Sequence, residues 1–219
     1  MNWIIDAKLF EPIATIGVIL FSILIERSVG MRVPIDDPIW YAYPGMVAVV
    51  TAKHEDKLNA MASGWHTYIG SSPGMYGISL RKETQTYKLI EKSGVFAVHF
   101  LPGRCSELIQ ALGTRSGADM DKFREFNIAY EEGIKVDVPI LKDAYFAYEC
   151  KVHSIATLAD HEWIAGEVLQ MYQDKSMFLE KGLVNLEKLD VPLYLGRSNY
   201  RILDNRAEEH HHAFYHKED

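Results

Sequence analysis

Cysteine is scarce in this sequence: two residues in 219, Cys105 and Cys150, lie far apart and show no metal-ligand spacing. So low a count gives no basis for a disulfide framework or a cysteine-ligated metal site. We therefore expect both thiols to be reduced, in a cytoplasmic protein. Cys150 falls in a β-rich run and is expected in the core, whereas Cys105 follows Arg104, a neighbour that could lower the pKa of its thiol.

Positive charge is also in short supply. Lys and Arg number 23 against 30 Asp and Glu, which gives a formal net charge of −7. This balance argues against nucleic acid, and against an anionic membrane surface, as a general partner. An anionic ligand would need a local basic pocket in such a protein, and Arg81 with Lys82 is the candidate for it.

The sequence has no Gly-x-Gly-x-x-Gly after a strand, no internal repeat, no heptad pattern and no low-complexity linker. The first absence argues against a Rossmann nucleotide domain, so any nicotinamide would have to bind without one. A length of 219 residues, with 48% hydrophobic and 24% charged residues, suits one sizeable soluble domain rather than two.

Long apolar runs are limited to residues 13–25, which lie between Glu11 and Glu26. This run is shorter than the roughly 20 residues of a membrane-spanning helix. It also lacks the basic front end and the cleavage site of a signal peptide. Three interpretations stay open: a helix packed on the domain or on a dimer partner, a membrane-associated segment, or an upstream extension. The packed helix is favoured, because so apolar a run should not stay exposed.

The domain is predicted to span residues 31–205, after an N-terminal apolar extension (1–30) and before a polar tail (206–219). Several β-rich runs separated by short helices favour a mainly β fold, a closed or partly closed barrel, over a parallel sheet. The tail histidines, residues 210–212 with His216, would form a metal-binding i, i+4 pair on a helix. A polar terminus seldom orders in this way, so no metal is assigned.

Residues 59–102 are the stretch around which the rest of the chain is organised. Two β-rich runs, 60–69 and 75–80, flank a Gly/Ser/Pro turn at 70–74. A helical pattern follows Thr84 and ends at Gly94, which occupies a C-cap position. Further strands are predicted at 46–52, 95–101, 138–140 and 191–197, and further helices at 105–112, 119–126 and 185–189.

Basic and hydroxyl side chains precede this helix. Arg81, Thr84 and Thr86, together with the free amides and positive dipole end of a helix start, would make a phosphate seat. The structural alternative is that Thr84 is only an N-cap and Arg81 only a surface residue. We rank Arg81 first for phosphate because its guanidinium can hold two oxygens at once, and Lys82 second.

One face of the run 60–69 is expected to carry Ser63, Trp65 and Thr67, since alternate residues of a strand point the same way. A flat ring with hydrogen-bonding edges would suit this face, although Trp65 could equally be a core residue. Later in the chain, residues 144–158 and 163–172 predict an antiparallel hairpin with His161 in its turn. Gly166 within that hairpin predicts a bulge or the close approach of another group.

Several of these motifs resemble the flavin reductase-like, FMN-binding split-barrel family. The resemblance covers roughly residues 35–200. It rests on Ala62-Ser63-Gly64-Trp65-His66-Thr67, Gly-Ile-Ser-Leu-Arg at 77–81, Thr-Tyr-Lys-Leu-Ile at 86–90, Gly-Val-Phe-Ala-Val at 94–98, Asp-Lys-Phe at 121–123, Asp160-His161 with Gly-Glu-Val at 166–168, and the closing run 191–197. Two departures are His99, where the family commonly has asparagine, and the Lys82-Glu83 pair before Thr84.

The resemblance implies a homodimeric split barrel with FMN near the dimer interface, an NAD(P)H donor and a set of cofactor-binding residues. His161 is expected near the flavin and the nicotinamide, as the one candidate catalytic residue. The cofactor-binding residues are expected to be Ser63, Trp65, Thr67, Ser79, Arg81, Thr84, Thr86 and Lys122.

The sequence supports three functional hypotheses. The first is an NAD(P)H:flavin oxidoreductase that passes hydride from nicotinamide to flavin. The second is an FMN-holding electron-transfer protein that serves a protein partner and has little NAD(P)H activity. The third is a barrel that has lost its flavin and acts as an interaction module. The sequence cannot separate the first two hypotheses, because both need the same phosphate seat.

Overall fold

The computed structural model describes residues 32–36, 39 and 42–210. The chain divides into two units, residues 1–40 and 41–219, and the fold given below is that of the second unit. The predictions for residues 1–30 and for the tail beyond His210 lie outside the described residues. Within the described ranges, no helix is long and apolar enough to cross a membrane.

The described part of the chain is mainly β, as predicted. Its strands are β1 (Ala48–His54), β2 (Lys57–Ser63), β3 (His66–Ser71), β4 (Gly74–Leu80), β5 (Val95–Phe100), β6 (Tyr130–Glu132), β7 (Pro139–Leu141), β8 (Phe146–Leu158), β9 (His161–Gln173), β10 (Val191–Gly196) and β11 (Asn199–Leu203). Its α-helices are α1 (Gln85–Ser93), α2 (Ser106–Thr114) and α3 (Lys122–Glu125), and short 3₁₀ turns cover Gly103–Cys105, Lys175–Met177 and Glu180–Gly182.

Seven antiparallel strands form the central sheet in the order β2-β1-β5-β8-β9-β4-β3. The two edge strands, β2 and β3, are consecutive in the chain and are joined only through Gly64 and Trp65. A flat sheet of seven strands would separate its edges by roughly 29 Å, at about 4.8 Å per neighbouring pair. Three Cα steps from Ser63 to His66 reach at most about 11 Å. The sheet must therefore curl until the end of β2 and the start of β3 lie within this distance, which makes it a partly closed barrel.

The predicted single strand over residues 60–69 is wrong. β2 ends at Ser63, Gly64 and Trp65 form a bend, and Thr67 lies in β3. Ser63, Trp65 and Thr67 are therefore not on one face of one strand. The Ser63-Gly64 dipeptide is a turn signal, but the strand-forming residues on both sides of it favour one continuous strand in a pattern-based reading.

Helix α1 begins and ends as the sequence predicts. The Thr84 hydroxyl accepts a hydrogen bond from the Tyr87 amide, which is N-capping. At the other end Gly94 adopts a left-handed conformation with φ of 71°, and its amide donates to the Ile90 carbonyl at 2.8 Å. The buried side of α1 packs on β1 and carries Thr86, Tyr87, Leu89 and Ile90.

The β8–β9 hairpin forms as predicted, and its turn places His161 at the first position of β9. Close approach at Gly166 is also observed, but the approaching group is a core side chain. A Cβ on Gly166 would lie 2.5 Å from Cζ of Phe96. The register of β8 shifts between Val152 and Ser154, opposite Gly166, so the hairpin is bulged there. Gly166 is therefore explained by packing on Phe96.

His99 is fully buried on β5, at the position where the family resemblance calls for asparagine. Its Nδ1 lies 3.0 Å from the Val49 carbonyl, which can only accept, so Nδ1 carries the proton. Its Nε2 has no hydrogen-bond partner within the part of the chain that the structure describes. Burial lowers the pKa of His99 to about 4. The folded protein therefore holds this imidazole neutral.

Between pH 6.5 and pH 4, His99 should make folding pH-dependent. The unfolded chain binds a proton there that the folded chain does not, so the free energy of unfolding should fall as pH falls. The loss from this group should be about 1.4 kcal/mol per pH unit within that window. Urea unfolding from pH 7 to pH 4 measures it, with His99→Asn as the non-titrating control. Parallel pH profiles for the two proteins would contradict the buried neutral state.

Candidate functional site

The bend between the two edge strands places several predicted residues together. The Ser79 amide on β4 donates to the Trp65 carbonyl at 2.9 Å, which ties the bend to β4. The Ser63 hydroxyl lies 3.5 Å from the same carbonyl. The Trp65 side chain is 45% exposed, so the indole is only partly taken up by the core. Ser63 and Ser79 therefore both contact the backbone of Trp65, whose indole is partly accessible.

The start of β9 brings His161 to this indole. Because β9 pairs with β4 and Leu80 lies opposite Glu162, the β8–β9 turn sits beside the end of β4. The rings of Trp65 and His161 are 4.7 Å apart between centroids and tilted by 43°. His161 Nδ1 lies 2.8 Å from Oδ1 of Asp160, a contact that lowers the pKa of the Asp160 carboxyl. Asp160 therefore fixes the orientation of the His161 ring.

The two basic residues after β4, Arg81 and Lys82, each contact an acidic residue of the β8–β9 hairpin. Arg81 contacts Asp160 at 3.0 Å and Glu83 at 3.6 Å, and its side chain is 53% exposed. Lys82 contacts the buried carboxylate of Glu162 at 3.2 Å. The guanidinium of Arg81 has five donors and ample solvent access, so these pairings leave capacity for a further anion. Lys82 instead neutralises Glu162, a charge that would be costly to bury alone.

Thr84 connects Arg81 to the start of α1. Its hydroxyl donates to the Arg81 carbonyl at 2.8 Å while accepting from the Tyr87 amide. The first turn of α1 contains no acidic residue. Amides of a first turn lack intrahelical partners and carry the positive end of the helix dipole. The site is thus a chain of contacts from Trp65 through His161, Asp160 and Arg81 to this helix start.

Three of the predicted cofactor residues lie elsewhere or are engaged otherwise. Thr67 is exposed on β3, and its hydroxyl donates to the Tyr68 carbonyl. Thr86 is fully buried and accepts a hydrogen bond from the Asn59 amide group at 2.8 Å. Lys122 is buried at the start of α3. A capping threonine and a buried threonine look alike in the sequence, so only the fold separates Thr84 from Thr86.

Lys122 holds two backbone segments together. Its ammonium donates to the Ala60 carbonyl at 3.0 Å and to the Leu112 carbonyl at 2.8 Å, and the side chain is 3% exposed. Burial lowers the pKa of Lys122 to about 8. This lysine therefore joins β2 to the end of α2 in the described structure.

Asp160 is the residue of the site that the sequence reading did not select. It contacts both His161 and Arg81, so the positions of both depend on it. The available signal was an acidic residue next to the candidate histidine, in a turn facing the candidate arginine. Asp160 comes next to Arg81 only because β9 pairs with β4, and these two strands are far apart in the sequence.

A cavity of about 630 Å³ has Gln85, at the start of α1, in its lining. Its rim includes Lys57, Gln85 and Phe123, together with Asp56, Asp119 and Asp121. Three carboxylates against one lysine make this cavity acidic. It is therefore a poor place for a phosphate, and its lining includes no arginine that could hold one.

Comparison with known proteins places the chain in a family. Residues 40–204 match the model of the flavin reductase like domain, so the chain belongs to that family. This confirms the resemblance read from the motifs. A protein of Aeropyrum pernix is 28% identical over 157 residues, 71% of this chain, and the chain spans 59% of that relative's length.

Three solved structures show the same fold. An FMN-binding protein from Thermus thermophilus with bound 1-cyclohex-2-enone is 28% identical, with a TM-score of 0.72, covering 83% of this chain and 99% of that one. Flavoredoxin of Desulfovibrio vulgaris is 26% identical, with a TM-score of 0.74 and coverages of 84% and 98%. The flavin reductase HpaC complexed with NADP+ is 25% identical, with a TM-score of 0.59 and coverages of 74% and 91%. The predicted split-barrel fold is thereby confirmed.

Lys122→Met should destabilise the fold by about 1–3 kcal/mol, because two buried carbonyls lose their donor. Urea unfolding measures the loss, and Lys142→Met, at an exposed lysine, is the matched control. Unchanged stability of Lys122→Met, with FMN binding lost, would show instead that Lys122 serves the cofactor.

Proposed function

We propose that this protein binds FMN and acts as an NAD(P)H:flavin oxidoreductase, as a cytoplasmic homodimer. The observation that carries the proposal is the contact chain from Trp65 to Arg81 at the start of α1, in a chain of the flavin reductase-like family. Support for the nicotinamide comes from the likeness to a flavin reductase complexed with NADP+.

The phosphate of FMN fits the Arg81 side of α1. Arg81 offers an exposed fork of donors, and Thr84 with the first-turn amides offers more, with no acidic residue in that turn. Asp160 keeps the guanidinium in place beside the helix start before any ligand binds. In a chain with net charge −7, this local arrangement is what would attract an anion.

The flavin ring fits the Trp65 side of the site. The half-exposed indole would cover one apolar surface and exclude water, while Ser79, half-buried on β4, carries a hydroxyl for a polar edge. FMN would supply the two-electron acceptor on which reduction by a nicotinamide depends. His161 Nδ1 lies 2.8 Å from Oδ1 of Asp160, which leaves Nε2 as the ring nitrogen that would meet a ligand.

A homodimer is favoured by the apolar side chains that the barrel leaves exposed. Ile69 on the edge strand β3 is 43% exposed, and Leu158 at the end of β8 is 58% exposed. Exposed apolar surface next to an open strand edge is a feature that a second copy would cover. Light scattering on the purified chain tests this, and a monomer at all concentrations would contradict it.

The likeness to flavoredoxin of Desulfovibrio vulgaris supports a second candidate, an FMN-holding electron carrier that serves a protein partner. Both candidates need the same FMN site, and they differ in the electron donor. Reduction by a ferredoxin-like protein but not by NADH or NADPH would favour the carrier. A third candidate, a barrel without flavin, predicts a colourless protein that gains no thermal stability from excess FMN.

The visible spectrum of the purified protein tests the proposed activity. With FMN added under anaerobic conditions, NADH or NADPH should bleach the flavin absorption in the blue at a rate that depends on the protein. Free FMN with the same donor, without protein, is the control. If neither nucleotide bleaches the flavin faster than in that control, the reductase proposal fails.

Arg81→Ala should weaken FMN binding by roughly tenfold to a hundredfold, the equivalent of about 1.5–3 kcal/mol for a charge-assisted contact. Riboflavin lacks the phosphate, so its affinity should change little. Lys92→Ala is the matched control, because Lys92 is an exposed lysine in the last turn of α1, away from the helix start. Fluorescence titration of both ligands measures the effect, and equal losses for FMN and riboflavin would disprove the phosphate assignment.

A further inference from the structure

Three tyrosines run from the surface into the barrel core, and we call them the tyrosine stack: Tyr68, Tyr148 and Tyr76. The hydroxyls of Tyr68 and Tyr148 are hydrogen-bonded to each other. Ring centroids are 5.8 Å apart for Tyr68 and Tyr148, 5.2 Å for Tyr76 and Tyr148, and 5.0 Å for Tyr68 and Tyr76. Tyr68 is 65% exposed, whereas the other two are 2% exposed. The stack is therefore a continuous aromatic path from solvent to the interior.

Strand pairing explains two of these positions. Tyr68 on β3 and Tyr76 on β4 are directly opposite each other in the ladder. Tyr148 reaches the same place from β8, as part of the core cluster that also contains Tyr76. The stack lies apart from the contact chain that runs from Trp65 to Arg81, and the proposed flavin chemistry makes no use of it.

His66 completes the buried end of the stack. Its Nε2 lies 3.0 Å from the Met46 carbonyl, which can only accept a hydrogen bond, so Nε2 carries the proton. Its Nδ1 is then a lone-pair acceptor, and the Tyr76 hydroxyl, at 2.7 Å, donates to it. Burial lowers the pKa of His66, although the Met46 contact opposes the shift, so the imidazole is neutral. The Tyr76 proton thus faces a free base.

We propose that Tyr76 and His66 form a reversible radical site, which one-electron oxidants in solvent, such as peroxyl radicals, reach through Tyr68 and Tyr148. Tyr68 lies at the surface and the stack connects it to Tyr76, so an oxidising equivalent can enter where the protein meets solvent and come to rest inside. The buried radical is then shielded from coupling with other molecules and can be reduced back.

The electrons and protons of this step balance as follows. The oxidant takes one electron, which leaves Tyr76 by way of Tyr148 and Tyr68. The Tyr76 hydroxyl proton moves to Nδ1 of His66, which gives a neutral tyrosyl radical beside an imidazolium. A one-electron reductant in solvent, such as ascorbate, then supplies the electron that reduces the radical, and the proton returns from His66 to Tyr76. Tyr68 and Tyr148 are unchanged at the end of either direction.

Two features favour a redox role over packing alone. Burial raises the pKa of Tyr76 well above its ordinary value, so tyrosinate does not form at neutral pH and the proton must leave together with the electron. A proton acceptor in hydrogen-bond contact provides for that transfer. Phenylalanine would fill the same space at Tyr76 and Tyr148 without burying two hydroxyls that then need partners.

Flash-generated tris(bipyridine)ruthenium(III), a one-electron oxidant, tests the proposal on the full chain without added flavin. The outcome is therefore independent of the flavin proposal. Electron paramagnetic resonance should detect a long-lived tyrosyl radical in the wild type. Tyr76→Phe should lose the long-lived signal, and Tyr68→Phe should slow its formation. Tyr43→Phe is the matched control, since Tyr43 is 74% exposed and lies outside the stack.

A second measurement on the unaltered protein keeps the test valid if Tyr76→Phe folds poorly. High-field spectra of the wild-type radical, with ¹⁵N-labelled histidine, should show a hydrogen bond from an imidazole nitrogen to the phenoxyl oxygen. A radical without histidine coupling would overturn the proposal. Equal effects of Tyr68→Phe and Tyr43→Phe on its formation would overturn it as well.

Discussion

The bend of two residues between the opposite edges of a seven-stranded sheet is the constraint on which the rest of this structure depends. The bend, Gly64 and Trp65, cannot reach from one edge of a flat sheet to the other, so its shortness forces the sheet to close. The Ser79 amide then fixes the Trp65 carbonyl against β4. The Trp65 side chain, at this closing point, is 45% exposed.

Charge is the second determinant of the site. The protein is acidic overall, and the carboxylates of the β8–β9 turn hold the cations that follow β4. Arg81 stays half exposed while Asp160 orients it, whereas Lys82 neutralises the buried carboxylate of Glu162. Arg81 and Lys82 therefore have different roles, because Arg81 contacts the exposed Asp160 whereas Lys82 contacts the buried Glu162. The cavity lined by Asp119 and Asp121 has no arginine in its lining, so it lacks the guanidinium that the Arg81 site offers to an anion.

Local signals in the sequence predicted the caps of α1 at Thr84 and Gly94, the β8–β9 hairpin and the barrel class, because capping and turn chemistry depend on near neighbours. The break at Gly64 and Trp65 was missed although Ser63-Gly64 is a local turn signal, because the flanking residues also favour a strand; the short strand β11, paired only with β10, was missed as well. Burial divides the candidate residues in the same way. Thr86 and Lys122 look polar and available in the sequence, yet the fold places both inside, bonded to Asn59 and to backbone carbonyls. The role of each site residue toward a cofactor stays a prediction.

A crystal structure of the protein with FMN would test most directly whether the closing bend and the start of α1 form one flavin site. We expect the phosphate within hydrogen-bond distance of the Arg81 guanidinium and the Thr84 segment, with the flavin ring against Trp65. A phosphate bound instead in the cavity near Lys57 and Asp119, with Trp65 and Arg81 both free of ligand, would contradict this assignment.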